Sequence, residues 1–343
     1  MLDISDKNME FTVSMEFKQT WNDTRLSFEV GDGTVKEIGV GAEFAKNFWV
    51  PDTFFANEKS SSIPKHLTDN KMFLTIQSSG AISLSRRLVV TASCQMDLRK
   101  FPLDSQVCSL EIQSSGHSVQ DMQHSWLAGN DSVRMLSPDM PNNPFTVGGI
   151  MLREGNTELM SGIYKTLMVD IKMKRRLGHF VKTFYIPVGV SVIISWLSFL
   201  IPPHHATARV VLGLGMLCNV VLLEMNAAGM TSSVAYMTAG DMFGGGCCLL
   251  IIMSLVVSIL AICAGGGQQK SKKLTGKEAN FKSKHSCVTF FPQSLSSFYS
   301  GVLRCLQARW IDILSFIIFP VLLAVFAIKY WQRFDIQNVF EEL

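Results

Sequence analysis

The sequence predicts an extracellular all-β sandwich followed by a bundle of four transmembrane helices. Residues 1–178 mix polar and apolar side chains in short runs, whereas four later stretches are almost free of charge. In the polar part, Cys94 and Cys108 bracket thirteen residues. A thiol pair ahead of membrane spans indicates a disulfide in an extracellular domain, because disulfides persist in oxidising compartments.

Residues 11–178 have the pattern of short strands. Apolar and polar side chains alternate from Phe11 to Phe17 and again from Thr166 to Met173. Turn signals rich in Gly, Asn, Asp and Pro separate such runs. Many short strands joined by turns are typical of an immunoglobulin-like β-sandwich.

The apolar stretches have the length of membrane helices. A bilayer core needs about 20 apolar helical residues, which each stretch roughly provides. The four stretches are 180–201, 208–230, 242–267 and 311–331. The second carries Glu224 and Asn226, which a lipid-facing helix seldom tolerates. A soluble, all-helical second domain is the alternative interpretation.

The placement of lysines predicts the topology. Six lysines lie between the third and fourth stretches, and positive loops stay in the cytoplasm, so both termini are expected outside the plasma membrane. The predicted parts are an extracellular domain (1–178), three helices (179–267), a cytoplasmic loop (268–309), and a fourth helix with its tail (310–343). The polar opening residues contain no secretory signal, so we expect the sequence shown to be processed, truncated or incomplete.

Several motifs occur together in one order along the chain. They are Trp21-Asn22-Asp23, Trp49 to Lys59, the cysteine pair around Phe101-Pro102, Tyr185-Ile-Pro187, Ala208-Arg209 and Trp310-Ile-Asp312. Jointly they resemble the Cys-loop receptors, and within them the glycine- and GABA-receptor branch, as a divergent invertebrate-type or orphan subunit. The resemblance implies a pentamer of identical or homologous subunits around a central pore. By this alignment the family's N-terminal helix and first strand are missing.

The resemblance implies a subunit of a ligand-gated ion channel rather than an enzyme. No HExxH motif, GxSxG motif or phosphate-cradling glycine loop occurs in the sequence. We expect a small extracellular ligand of the amine or amino acid class, contact with membrane lipid, and no cofactor, metal or nucleic acid. Two alternatives remain open: a non-conducting accessory subunit that binds ligand, and a channel gated by protons through His204 and His205.

One stripe of the second apolar stretch is the candidate pore lining. Steps of four and three residues give Val211, Gly215, Cys218, Leu222, Met225 and Gly229, which share one helix face. The resemblance implies that they line the pore; an ordinary packing stripe is the alternative. Rings of apolar side chains can close a pore by dewetting, and we predict that Leu222 is the gate.

The residues before this stripe predict the ion that passes. Cation-selective members of the family carry a glutamate where this chain has Ala208, and Arg209 follows. We therefore predict chloride selectivity, with Arg209 attracting anions. Glu224 lies roughly 220° round the helix from Val211 and is expected to face a neighbouring helix.

The resemblance also implies an aromatic ligand box between subunits. Ring faces attract a ligand ammonium, and basic residues of the neighbouring subunit hold a carboxylate. The candidates are Phe54, Phe55, Ser115, His117 and Tyr164 on one side, and Lys18, Arg86 and Arg87 on the other. For each basic residue a solvated strand charge is the alternative. Because Ser115 and His117 stand where aromatic rings are common, the ligand differs from the usual transmitters or the site is degenerate.

The disulfide loop is the candidate coupling element. By the resemblance, Phe101, Pro102 and Asp104 press on the outer end of the membrane domain, opposite a segment that contains Ser232 and Ser233. Closing a loop of this size stabilises the fold by about 3 kcal/mol in the entropic description.

Two asparagines begin an Asn-x-Ser/Thr acceptor for glycans. Asn130 lies in a predicted turn and is the expected glycan site. Asn22 belongs to the Trp-Asn-Asp motif and is expected to be buried.

Overall fold

A computed structural model describes residues 2–29, 36–45, 47–62, 72–136, 143–202, 205–282 and 294–334. Side chains are described for these residues except 2, 42–43, 264–282 and 294–309. The chain forms two compact units. The first comprises Met1–Asp97 with Asp104–Arg176, and the second comprises Leu98–Leu103 with Leu177–Leu343.

The first unit is a pair of antiparallel sheets. One sheet has the strand order β1-β2-β7-β6-β3, with β5 also paired to β7, and the other has the order β4-β8-β10-β9. The strands are β1 (Leu2–Ser5), β2 (Glu10–Asn22), β3 (Glu37–Val40), β4 (Thr53–Phe55), β5 (Glu58–Ser62), β6 (Met72–Gln77), β7 (Ala81–Ser93), β8 (Ser105–Ser114), β9 (Phe145–Leu159) and β10 (Gly162–Arg175). A short helix, α1 (Ala42–Ala45), and the 3-10 turns Thr24–Leu26 and Gly129–Ser132 connect them.

Alternation of apolar side chains builds the core between these sheets. Leu74 of β6 is directly opposite Leu84 of β7, and both are fully buried. Leu110 of β8 is paired in the same way with Val169 of β10, and both are buried. Each such leucine or valine contributes about 1.5–3 kcal/mol of hydrophobic stabilisation. The predicted all-β sandwich is therefore confirmed.

The predicted disulfide is present. Cys94 follows β7, Cys108 lies in β8, and their Cα atoms are 5.3 Å apart in the bonded pair. Both cysteines are buried. The bond links the two sheets, because β7 and β8 belong to different ones.

The second unit contains four helical segments that are long and apolar enough to cross a membrane. They are Gly178–Leu200, Ala206–Ala228, Ala239–Cys263 and Trp310–Arg333. The first consists of α2 (Gly178–Phe180), a π-helical turn (Val181–Tyr185), α3 (Ile186–Leu197) and a 3-10 turn (Ser198–Leu200). The second is α4 (Ala206–Ala228), and the others belong to the longer helices α5 (Ala239–Lys282) and α6 (Ser294–Arg333).

The predicted cytoplasmic loop differs from expectation. The stretch from Gly265 to about Ser300, rich in Gly, Lys and Ser, predicts a flexible linker, but α5 continues to Lys282 and α6 begins at Ser294. Residues 268–282 contain five lysines and two glutamines, which have high helix propensity and extend a helix that is already nucleated. Residues 283–293 lie outside the described residues.

Glycines bring the helices of the second unit close together. A Cβ added to Gly213 of α4 would overlap Leu255 of α5, and one added to Gly246 would overlap Phe326 of α6. A Cβ added to Gly244 of α5 would overlap the carboxylate of Glu224 of α4. Glu224 therefore faces a neighbouring helix, α5, as predicted. Small residues allow such close approach of helix backbones.

Candidate functional site

Strand β4 presents only one of its two phenylalanines to solvent. Phe54 is 37% exposed, whereas Phe55 is 4% exposed and packs edge-on against Phe17, with ring centroids 5.7 Å apart. Successive side chains of a strand point to opposite faces, so both cannot line one site. The burial of Phe55 in this subunit argues against a ligand contact, and its ligand role stays a prediction. Tyr164 is also buried, and its hydroxyl donates to Ser161 Oγ at 3.0 Å.

Asp52 organises the loop that contains Ser115 and His117. Its Oδ1 accepts a hydrogen bond from Ser114 Oγ at 2.7 Å and lies 3.0 Å from Nδ1 of His117, and its Oδ2 accepts from the Gly116 backbone. Burial acts to raise the pKa of Asp52, but these hydrogen bonds outweigh it, so the pKa lies below its ordinary value. The loop is thus anchored on a carboxylate that sequence reasoning missed.

A second histidine lies near the same carboxylate. His124 Nε2 is 3.2 Å from Thr53 Oγ1, which also accepts a hydrogen bond from Gln19 at 2.6 Å. Nδ1 of His124 is buried and has no hydrogen-bond partner among the described residues. Burial lowers the pKa of His124, and the negative charge of Asp52 only partly opposes this.

The predicted basic residues divide between two faces of the sheet. Lys18 and Arg87 are both on the solvent-exposed face, opposite Ser85 and Glu16 respectively. Arg86 is opposite Phe17, half-buried, with its guanidinium carbon 5.4 Å from the Phe17 ring centroid. This contact assigns Arg86 a packing role in the sandwich, and its ligand role stays a prediction.

An aromatic ring that the sequence did not reveal shares the face of Lys18. Phe73 of β6 is paired with Ser85 of β7, which is paired with Lys18 of β2. Phe73 is 61% exposed and lies over Gly39 of the edge strand. Lys18, Ser85 and Phe73 thus form one row across three strands. Strand register decided this, and no local sequence signal could have found it.

The six residues of the predicted pore stripe are all exposed. The buried residues of α4 are Arg209, Gly213 and Val220, which face the other helices of this unit. At about 100° per residue, the stripe lies roughly 120–240° round the helix from these three. A face that turns away from its own subunit is what a lumen-facing stripe requires.

Arg209 is not available to ions. Its side chain is 0% exposed, and Nη1 and Nη2 donate to Oδ1 and Oδ2 of Asp312 in α6 at 2.9 and 2.8 Å. Nε donates to the carbonyl of Ile201 at 2.7 Å. The guanidinium is buried and its charge is balanced, so a contribution of Arg209 to anion attraction stays a prediction that this ion pair weakens. Ala208 beside it is exposed.

Comparison with known proteins identifies the family. The family model "Neurotransmitter-gated ion-channel ligand binding domain" matches residues 1–177. This chain belongs to the Cys-loop receptors, the neurotransmitter-gated ion channels. It is 32% identical over 249 residues to "Gamma-aminobutyric acid receptor subunit beta-like" of Drosophila melanogaster. The aligned region covers 70% of this chain and 49% of that protein. The chain thus spans about half the length of that relative.

Family membership confirms the predicted family, fold class and membrane location. The chain is a subunit of a receptor family whose members are ligand-gated ion channels and not enzymes, and the family implies pentameric assembly. An extracellular ligand-binding sandwich with four membrane-spanning helices makes this receptor a multi-pass plasma membrane protein. The resemblance to the GABA-receptor branch agrees with the relative from Drosophila melanogaster.

The tip of the receptor's disulfide loop belongs to the second unit. Phe101 is buried edge-on against Phe180 with centroids 5.1 Å apart, and Pro102 is fully buried. The backbone of Gly240 donates to the carbonyl of Phe101 at 2.9 Å, and that of Ala239 donates to Arg99 at 3.0 Å. The tip therefore binds the first turn of α5.

The segment before α5 contributes a tyrosine rather than the predicted serines. The backbone N–H of Leu98 donates to the hydroxyl of Tyr236 at 2.9 Å. Ser232 is half-buried and Ser233 is exposed. Coupling through these two serines stays a prediction, whereas Tyr236 was missed because its partner lies 138 positions away in the chain.

Asp104 is held inside the first unit. It is buried and accepts hydrogen bonds from Nε and Nη2 of Arg175 at 2.7 and 3.0 Å. Arg175 also pairs with Asp6 and lies over the Phe145 ring, 4.3 Å from its centroid. Asp104 therefore fixes the end of β10 within the first unit, and its role in coupling stays a prediction.

Two remaining candidates concern protons and glycans. His204 lies outside the described residues, and His205 precedes α4, its backbone N–H donating to Pro202 at 3.0 Å. Asn130 is exposed on the 3-10 turn Gly129–Ser132, as a glycan site requires.

Proposed function

We propose that this receptor subunit forms a pentameric chloride channel that opens when a small extracellular ligand binds between subunits. The exposed stripe of α4 carries the proposal. Val211, Leu222 and Met225 are each more than half exposed, on the side of α4 turned away from the buried residues Arg209, Gly213 and Val220. Five copies of this stripe around an axis would bury these side chains against a lumen, with Leu222 as the hydrophobic gate.

Chloride selectivity follows from the charges at the inner mouth. The stripe contains no carboxylate, and Ala208 is exposed where a glutamate would attract cations. Asp312 balances the charge of Arg209. The remaining source of positive potential at the inner mouth is the helix dipole of α4. This helix begins at Ala206, and its N-terminus carries about half an elementary positive charge.

The proposed ligand is a small zwitterion with an amine and a carboxylate. Lys18 and Arg87 share an exposed face and offer cations to a carboxylate. Phe73 on that face and Phe54 on the other sheet offer exposed rings to an ammonium. The relative named as a γ-aminobutyric acid receptor subunit supports this class, and Ser115 and His117 are proposed as the polar edge of the site.

The deciding experiment is electrophysiology on the full-length protein. The receptor is expressed in oocytes, γ-aminobutyric acid, glycine and biogenic amines are applied, and external chloride is then lowered. We expect a ligand-evoked current whose reversal potential follows chloride. A reversal potential that follows sodium instead would refute the selectivity argument from Ala208.

An accessory subunit is the second candidate. It is favoured by the small number of open aromatic rings, since Phe55 and Tyr164 are buried and only Phe54 remains of the three predicted. This candidate would be established if the chain expressed alone reached the cell surface without giving a ligand-evoked current, and if a co-expressed GABA-receptor-like subunit restored that current. Current from the chain alone would reject it.

A further inference from the structure

The end of strand β2 carries a second acceptor sequence for a glycan. Asn22-Asp23-Thr24 has the Asn-x-Thr pattern that receives N-linked glycans in chains exposed to the secretory lumen. We expected Asn22 to be buried, and this is wrong: both Asn22 and Thr24 are exposed. Trp21 faces the interior, edge-on to Trp49 with centroids 6.1 Å apart, so alternation along the strand turns Asn22 outward.

The turn after β2 does not depend on the side chains that glycosylation uses. Asp23 caps the 3-10 turn: its carboxylate accepts from the backbone N–H of Arg25 at 3.1 Å and from its guanidinium at 2.9 Å. The backbone of Asp23 also donates to Gly80 at 3.0 Å. A sugar attached to Asn22 Nδ2 therefore leaves the bonds of the turn unchanged.

A glycine of the neighbouring hairpin lies beside Asn22. Gly80, between β6 and β7, has a φ of +84°, and its missing Cβ would come within 3.4 Å of Asn22 Oδ1. A larger residue there would strain the turn and bring its Cβ within 2.7 Å of the carbonyl oxygen of Asp23, which follows Asn22.

We propose that Asn22 carries an N-linked glycan in the mature receptor. This requires only the extracellular location of the sandwich and is independent of whether the channel conducts. Lys18, Thr20 and Asn22 alternate on one face of β2, and Lys18 and Asn22 are about 13 Å apart along the strand. A glycan at Asn22 would therefore lie at the end of the face that carries the proposed ligand cations, which requires that the neighbouring subunit leaves this end uncovered.

Peptide mass spectrometry of the full-length receptor tests the proposal. The protein is expressed in insect cells and purified in detergent, and occupancy is measured at Asn22 and Asn130. We expect glycan at both. An unmodified Asn22 beside an occupied Asn130, or two unmodified sites, overturns the proposal.

Variants and native digestion complete the test. Thr24→Ala should remove one glycan step on a gel, Thr24→Ser should retain it, and Asn130→Gln serves as the matched control. Thr24→Ala is preferred to Asn22→Gln because it removes the acceptor sequence and keeps the asparagine. A folding defect caused by loss of the Asn22 side chain therefore cannot be mistaken for loss of the glycan. Peptide-N-glycosidase F should release the Asn22 glycan from the undenatured receptor. Release only after denaturation would show that the folded receptor covers this end of the face.

Discussion

Arg209 of α4 and Asp312 of α6 form a buried ion pair through two parallel hydrogen bonds, although 103 positions separate them. Arg209 also binds the carbonyl oxygens of Phe199 and Ile201 at the end of the first span. One guanidinium thus joins three membrane helices at the end of α4 where the pore is proposed to have its inner mouth. Its role is to hold this end in place.

Asp312→Asn should destabilise the receptor strongly. It leaves a buried guanidinium without its counter-charge, and removal of one partner from a buried pair costs about 3–5 kcal/mol. Surface biotinylation and thermal unfolding in detergent measure the loss. The exchanged pair Arg209→Asp with Asp312→Arg should recover part of it, and Glu58→Gln at an exposed strand position is the control. Wild-type stability of Asp312→Asn would contradict the anchoring role.

Gly213→Ala should weaken the packing of α4 on α5, whereas Gly215→Ala should not. The added methyl group at Gly213 overlaps Leu255, but nothing lies within 4 Å of the corresponding position at Gly215. Overpacking of this kind costs about 1–3 kcal/mol. The measurement is the thermal midpoint of each variant. Leu255→Ala in the Gly213→Ala background should restore stability, and equal midpoints for the two glycine variants would show that the contact is not tight.

A charged, water-soluble thiol reagent should alter the current of the open receptor by reacting with Cys218. Cys218 is exposed on the predicted pore stripe, while Cys247 is buried within the helix bundle. Cys218→Ser should abolish the effect and Cys247→Ser should leave it unchanged. If an active channel shows no change with the reagent, the assignment of the stripe to the lumen is wrong.

Arg87→Ala and Arg86→Ala should have different effects. Arg87 is on the exposed face with Lys18, so its loss should raise the agonist concentration for half-maximal current by about 10- to 100-fold, as expected for a hydrogen bond to a charged group. Arg86 packs over Phe17, so its loss should lower stability with little change in agonist sensitivity. Concentration–response curves and thermal midpoints for both variants separate the two roles.

His124 should make the sandwich less stable at mildly acidic pH. Burial places its folded-state pKa below that of the unfolded chain, so the unfolded chain binds the proton more readily. The stability that neutral His124 provides is present above the unfolded pKa of about 6.5 and is lost as pH falls toward the folded value. Thermal unfolding at pH 7.5 and 5.5 should show a smaller difference for His124→Asn than for wild type. An unchanged difference would assign the pH dependence to another group.

The sequence alone determined the features that depend on local pattern. Apolar runs of about 20 residues predicted the four spans, alternation predicted strands such as β2 and β10, and the spacing of Val211 to Gly229 predicted one exposed face of α4. These follow because burial within one element repeats with the period of that element.

The tertiary structure decided which side of each element is buried and what it contacts there. It placed Phe54 outside and Phe55 inside, separated Arg87 from Arg86, and turned Asn22 to the surface. It also gave Arg209 and Asp104 their partners, Asp312 and Arg175. A buried charge is stable only with a counter-charge, and that partner comes from an element distant in the chain, which no local pattern encodes.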